Sequence, residues 1–242
     1  MEWIINLFLV AFVLYTIFLV KKQKISLKEY IRLDITKDTL KNIVGGILIG
    51  FLAMLCVFLI EWKFSFIHIQ AWNGLGKSFL VFFAELAIAA FGEELLFRGV
   101  LLNGLVHISK SRVLAVIVTS VLFGIAHAGN PNATTLSIVS NGLGGLMYSI
   151  AFLLADSIWL PFAIHFAWNF FQGPIFGFPV SGVQFGGLVT QQIQSDQLWL
   201  FGGQYGPEGG IIGIAFRLAV ILMTVLYCRA VAKRKSARDT NL

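Results

Sequence analysis

Seven apolar runs divide this chain, at residues 3–20, 43–60, 78–107, 113–128, 135–155, 158–172 and 211–228. A helix needs about 20 mostly apolar residues to cross a bilayer. Inside lipid, backbone polar groups are satisfied only within helices or closed barrels. Composition agrees: 57% of residues are hydrophobic and 12% charged, and a soluble domain carries roughly twice that charged fraction. The expected fold class is therefore all-α, a polytopic membrane bundle of about seven transmembrane helices. The fourth and sixth runs are short. The third is too long for one perpendicular span and is expected to tilt or to lay one end along the interface. With no linker, low-complexity tract or internal repeat, residues 1–242 read as a single transmembrane domain.

The net charge of +6 is not spread evenly. Of 18 Lys and Arg, seven lie in 21–42, two at Lys110 and Arg112, and five in 229–238. Seven spans put these three regions on one side, leaving Lys63 and Lys77 in the opposite loops. This positive-inside pattern predicts an N-terminus outside and a cytoplasmic C-terminal tail over 229–242 in a multi-pass cell-membrane protein. Such a tail suits contact with the anionic lipid of the bilayer, and no nucleic-acid partner is indicated. The first run lacks a basic region before it and carries Lys21-Lys-Gln-Lys24 after it, so it reads as a retained span rather than a signal peptide. Cys56 and Cys228 sit within apolar runs and imply neither a disulfide framework nor a cysteine metal site. The outer segment 173–210 is too polar to span and longer than a passive connection requires. It reads equally as a lid or as an inert cap.

Three polar islands interrupt the apolar runs, and ionisable groups at membrane depth usually mark a working site. The first is Glu93-Glu94-x-x-x-Arg98. Glu94 and Arg98 stand four apart, a spacing suited to an ion pair, whereas Glu93 leaves the helix about 100° away and remains the freer carboxylate. The second is Phe123-x-x-x-His127, followed by the helix stop Ala-Gly-Asn-Pro. The third is His165-x-x-x-Asn169. Taken singly, each could be a buried pair or polar glue between helices. Counted from the inner ends at about 1.5 Å per residue, Glu93 and His127 lie roughly 21 and 22 Å deep, with Asn169 near 18 Å and His165 near 12 Å. Similar depths let all four meet in one cavity. Glu85 reads as an interhelix contact, and Arg217, in the outer third of the last run, as a snorkelling residue.

In this order on separate helices, the three islands resemble the motifs of the CPBP family, which comprises the CAAX prenyl endopeptidases and the bacteriocin-processing or immunity-associated Abi proteins. The resemblance covers roughly 78–172. It implies an all-helical intramembrane endopeptidase in which Glu93 activates water with His127, His165 and Asn169 stabilise the oxyanion, and Glu94, Arg98 and Phe123 support them. Elementary chemistry asks for the same parts: a base for water, donors at the oxyanion and an acid for the leaving amine. The expected partner is a peptide or membrane-protein substrate.

Metal dependence stays open in the residue types. Glu93, His127 and His165 are the ligand set of many catalytic zinc sites. There is no His-Glu-x-x-His, however, and a ligating Glu93 would leave only Glu94, tied to Arg98, as base. The reading favours glutamate chemistry with no cofactor, with zinc as the alternative. Two other functions compete: a non-enzymatic bacteriocin immunity or peptide-binding membrane protein, and a proton-coupled transporter. No inverted repeat supports the last.

Overall fold

A computed structural model describes residues 2–74, 76, 78–194 and 196–239, with side chains described between 12 and 233. Lys77 and the last three residues of the tail expected over 229–242 lie outside the described residues. The elements in chain order are α1 (Glu2–Gln23), α2 (Leu27–Tyr30), α3 (Thr39–Lys63), β1 (Ile67–Trp72), α4 (Ser78–Glu94), α5 (Asn103–Ser109), α6 (Arg112–Ala126), α7 (Thr135–Ala155), α8 (Trp159–Phe170), β2 (Val189–Ile193), α9 (Leu198–Phe201) and α10 (Ile211–Asp239). Two π-helical segments, Leu95–Leu102 and Phe171–Ile175, continue α4 and α8. The molecule is mostly helical. Among the described residues, Thr39–Lys63, Thr135–Ala155 and Ile211–Lys233 are long and apolar enough to cross a membrane.

The surface places apolar side chains outward. Ile117, Val121 and Ile125 on α6 and Leu218, Leu222 and Leu226 on α10 are all exposed, at the four-residue spacing that lines up one helix face. Such rows are stable against lipid and not against water, which makes this a membrane protein. Helix association then gains little from hydrophobic burial and depends on close packing through small residues. Gly46 and Gly50 of α3 supply it: a Cβ at either would stand 2.6 Å from the Ala163 Cβ or 2.7 Å from the Ala167 Cβ of α8. That seam lets α3 clasp α8, which α4 and α7 also contact. Nearly all of α8 is buried, including His165 and Trp168.

The connections after α3 and before α9 depart from the all-α expectation. β1 pairs antiparallel with β2, with Ile67 opposite Ile193 and Trp72 opposite Val189. The two strands come from loops more than a hundred residues apart, so no local pattern announces them. The segment 173–210 is thus folded rather than extended. Its turns are held by bonds such as Leu188 N–H to the Pro174 carbonyl (2.9 Å) and Gly182 N–H to the Tyr205 carbonyl (2.9 Å). The third apolar run is one helical path through α4, the π-helical segment and α5, ended by Lys110 in the left-handed conformation.

Candidate active site

Glu93 and Glu94 are the last residues of α4, where the winding loosens into the π-helical segment that carries Arg98. Interruptions of this kind are frequent at functional sites because they re-aim side chains. Arg98 and Glu94 are almost wholly buried, at 1% and 0% exposure. Arg98 Nη1 donates to Glu94 Oε1 at 3.0 Å, and Nη2 donates to the Gly145 carbonyl of α7 at 3.0 Å. The guanidinium also lies 4.6 Å from the ring centre of Phe123 and 5.1 Å from that of Tyr148. Phe123 thus supplies a cation–π face beneath the ion pair. The bond to Gly145 ties the α4 path to α7.

His127 stands just past the end of α6, where the last carbonyls lack helical partners. Its Nδ1 lies 2.7 Å from the Phe123 carbonyl oxygen. A carbonyl can only accept, so Nδ1 carries the proton and the neutral ring has its lone pair on Nε2. His165 is held the same way from the other side. Its Nδ1 donates at 2.8 Å to Glu94 Oε1, the oxygen that also receives Arg98. Tyr148 stacks on the imidazole with ring centres 4.4 Å apart and planes 17° off parallel. These contacts fix the ring and leave His165 Nε2 3.9 Å from Glu93 Oε2. Among the described residues no hydrogen bond joins Glu93 to His127.

A cavity of about 150 Å³ opens here, lined by Glu93, His127, His165 and Asn169 together with Tyr148 and Asn141. The four side chains that the sequence places at similar depth therefore face one space, from α4, the end of α6, and α8. Glu94, Arg98 and Phe123 form its floor, although only Phe123 touches the cavity. Glu85 is exposed and away from it. Among the described residues, no group of three or more His, Cys, Asp or Glu side chains is arranged to hold a metal ion. The candidate zinc set Glu93, His127 and His165 does not fit one as it stands.

The roof was not legible from the motifs. Val180, Ser181, Val183, Phe185 and Glu208 of the outer segment line the same cavity, and so does Arg217 of α10. Arg217 does not snorkel. It is 2% exposed and donates to Ser140 Oγ and Asn141 Oδ1, both at 3.0 Å, and to Glu208 Oε2 at 3.3 Å. Glu208 in turn accepts from the backbone N–H and, at 2.8 Å, the hydroxyl of Ser181. Gly144 makes room for this guanidinium, since a Cβ there would stand 3.2 Å from the Arg217 Cζ. A buried arginine held inward by the loop carboxylate nine residues before it and by the polar groups of α7 explains the failed expectation: snorkelling wins only when no partner is within reach. The one sequence signal was an unpaired acid in Gly-Pro-Glu208-Gly-Gly next to an apolar run with one unpaired base.

The family described as type II CAAX prenyl endopeptidase, Rce1-like, matches residues 75–171. The matched stretch runs from α4 to the end of α8 and holds all three polar islands. It supports the CPBP/CAAX protease family for this chain. No curated protein and no solved structure matches it.

Proposed function

We propose that this chain, whose residues 75–171 match the Rce1-like CAAX prenyl endopeptidase family, is an intramembrane endopeptidase that hydrolyses a peptide bond with water activated by Glu93 and His127. The observation that carries the reading is the convergence of Glu93, His127, His165 and Asn169 on one cavity. The fold that presents it is a seven-span bundle, with the N-terminus outside and the basic tail in the cytoplasm.

The hydrogen bonds sharpen the roles. A water between Glu93 and His127 loses a proton to the carboxylate as its oxygen bonds to the scissile carbonyl carbon. His127 accepts from that water through Nε2, its Nδ1–H being committed to the Phe123 carbonyl. The oxyanion needs donors. Asn169 supplies an amide N–H₂ that needs no change of protonation. His165 can donate only from Nε2, because its Nδ1–H is committed to Glu94, and therefore only as the imidazolium. Glu93 then returns the proton to the departing amine nitrogen as the C–N bond breaks. Glu94 and Arg98 hold the His165 ring and do not touch substrate.

Mass spectrometry of membrane-associated peptides from cells carrying wild type or Glu93→Gln tests this. Glu93→Gln keeps the size of the side chain and removes the base. The expected result is a folded variant in which a discrete set of cleavage products disappears. Identical peptide sets with equal amounts of folded protein would refute an endopeptidase.

A further inference from the structure

Glu61 lies in the last turn of α3, is 0% exposed, and has no hydrogen-bond partner on either carboxylate oxygen. It faces a second cavity, of about 200 Å³, between the end of α3 and the outer cap. A carboxylate buried without a partner costs several kcal/mol. The lining makes the imbalance larger. Gln191 also faces this cavity, and its Oε1 is buried without a partner because its amide group points away to donate to the Phe176 carbonyl at 2.9 Å. Gln184, Gln192 and Gln204 complete the polar wall, and the described lining residues include no Lys, Arg or His. Three orphaned oxygen acceptors thus share one space with no charged donor to answer them. The carbonyl end of α3 adds partial negative charge from below.

We infer that this cavity is a binding site for a monovalent hard cation, held by the Glu61 carboxylate and the Gln191 amide oxygen. Oxygen-only ligands of this kind select hard cations over transition metals. Charge decides between valences: a +1 ion leaves the buried site neutral, whereas Ca²⁺ beside a single carboxylate leaves an uncompensated charge in a low-dielectric setting. The position has a consequence for the first cavity. Gly177, Phe178, Pro179 and Gln184 wall the Glu61 cavity, while Val180, Ser181 and Val183 of the same loop roof the Glu93 cavity. A cation at Glu61 therefore orders the roof from behind.

Thermal unfolding of the purified full chain in detergent tests the site, with choline chloride, whose bulky cation cannot enter it, as the metal-ion-free reference and NaCl, KCl or CaCl₂ substituted at constant ionic strength. For wild type the expected result is a saturable rise in Tm with Na⁺ or K⁺ beyond the choline baseline, because an ion that binds only the folded state stabilises it. Glu61→Gln abolishes the rise. Gln191→Leu keeps the charge and loses one ligand, so its half-saturating concentration rises by about tenfold or more; this second variant carries the test if Glu61→Gln does not fold. A wild-type Tm equal in all monovalent salts including choline overturns the site. A folded Glu61→Gln variant with an unchanged cation response also overturns it. A response to Ca²⁺ alone overturns the monovalent assignment.

Discussion

Removing the Arg98 side chain tests the frame on which the catalytic reading rests. In Arg98→Ala two charged hydrogen bonds vanish, to Glu94 Oε1 and to the Gly145 carbonyl, each 3.0 Å long. The Glu94 carboxylate, at 0% exposure, keeps only His165 as a partner. Stranding one member of a buried ion pair typically costs about 3–5 kcal/mol. The lost stacking on Phe123 and Tyr148 adds to this, so the upper end is expected. A chain of this size shifts its Tm by roughly 2–4 °C per kcal/mol, which converts to a fall of about 6–20 °C. Arg98→Lys separates charge from geometry. A lysine keeps the positive charge but cannot span both Glu94 and Gly145 with a planar fork; losing one charged bond costs about 1.5–3 kcal/mol. The expected order of Tm is wild type, then Lys, then Ala, measured by intrinsic fluorescence in detergent on matched preparations. Activity should fall in both variants, because the His165 ring depends on Glu94 for its orientation. An Arg98→Ala protein within 2 °C of wild type would remove the ion pair from the argument, on the same roughly 2–4 °C scale.

Three further outcomes follow from other contacts. Arg217 and Glu208 share one buried network, so Glu208→Gln and Arg217→Met should each destabilise, while the double variant loses less than the sum; additive losses in a double-mutant cycle would deny the pairing. If Glu93 works without zinc, purified protein should hold substoichiometric metal and keep its activity under prolonged chelation. About one equivalent of zinc by elemental analysis, lost in both His127→Ala and His165→Ala, would sink that mechanism, since three-ligand sites rarely survive loss of a ligand. Because fourteen of 18 basic residues fall on one side of the seven-span arrangement, a reporter fused after Leu242 should be active in the cytoplasm, and activity only outside the cell would overturn the topology.

Much of this molecule was legible along the chain, for a local reason. The apolar runs dictate helices because lipid leaves the backbone no other partner, and the helical repeat alone brings Glu94 to Arg98 and Phe123 to His127. Depth counting placed Glu93, His127, His165 and Asn169 at comparable levels, because rise per residue is a property of one helix. What crosses between elements was not legible. Nothing near Glu94 announces that its Oε1 also holds His165, 71 residues on, or that Tyr148 stacks on that ring. The β1–β2 pairing joins two loops with no shared local signal. Arg217 shows the limit most plainly. Taken alone, an arginine in an apolar helix is drawn toward water, and the nearby acid Glu208 is only a weak signal against that. Only the folded outer segment brings Glu208, Ser140 and Asn141 within reach, and a buried charge follows the nearest sufficient partner rather than its own hydropathy.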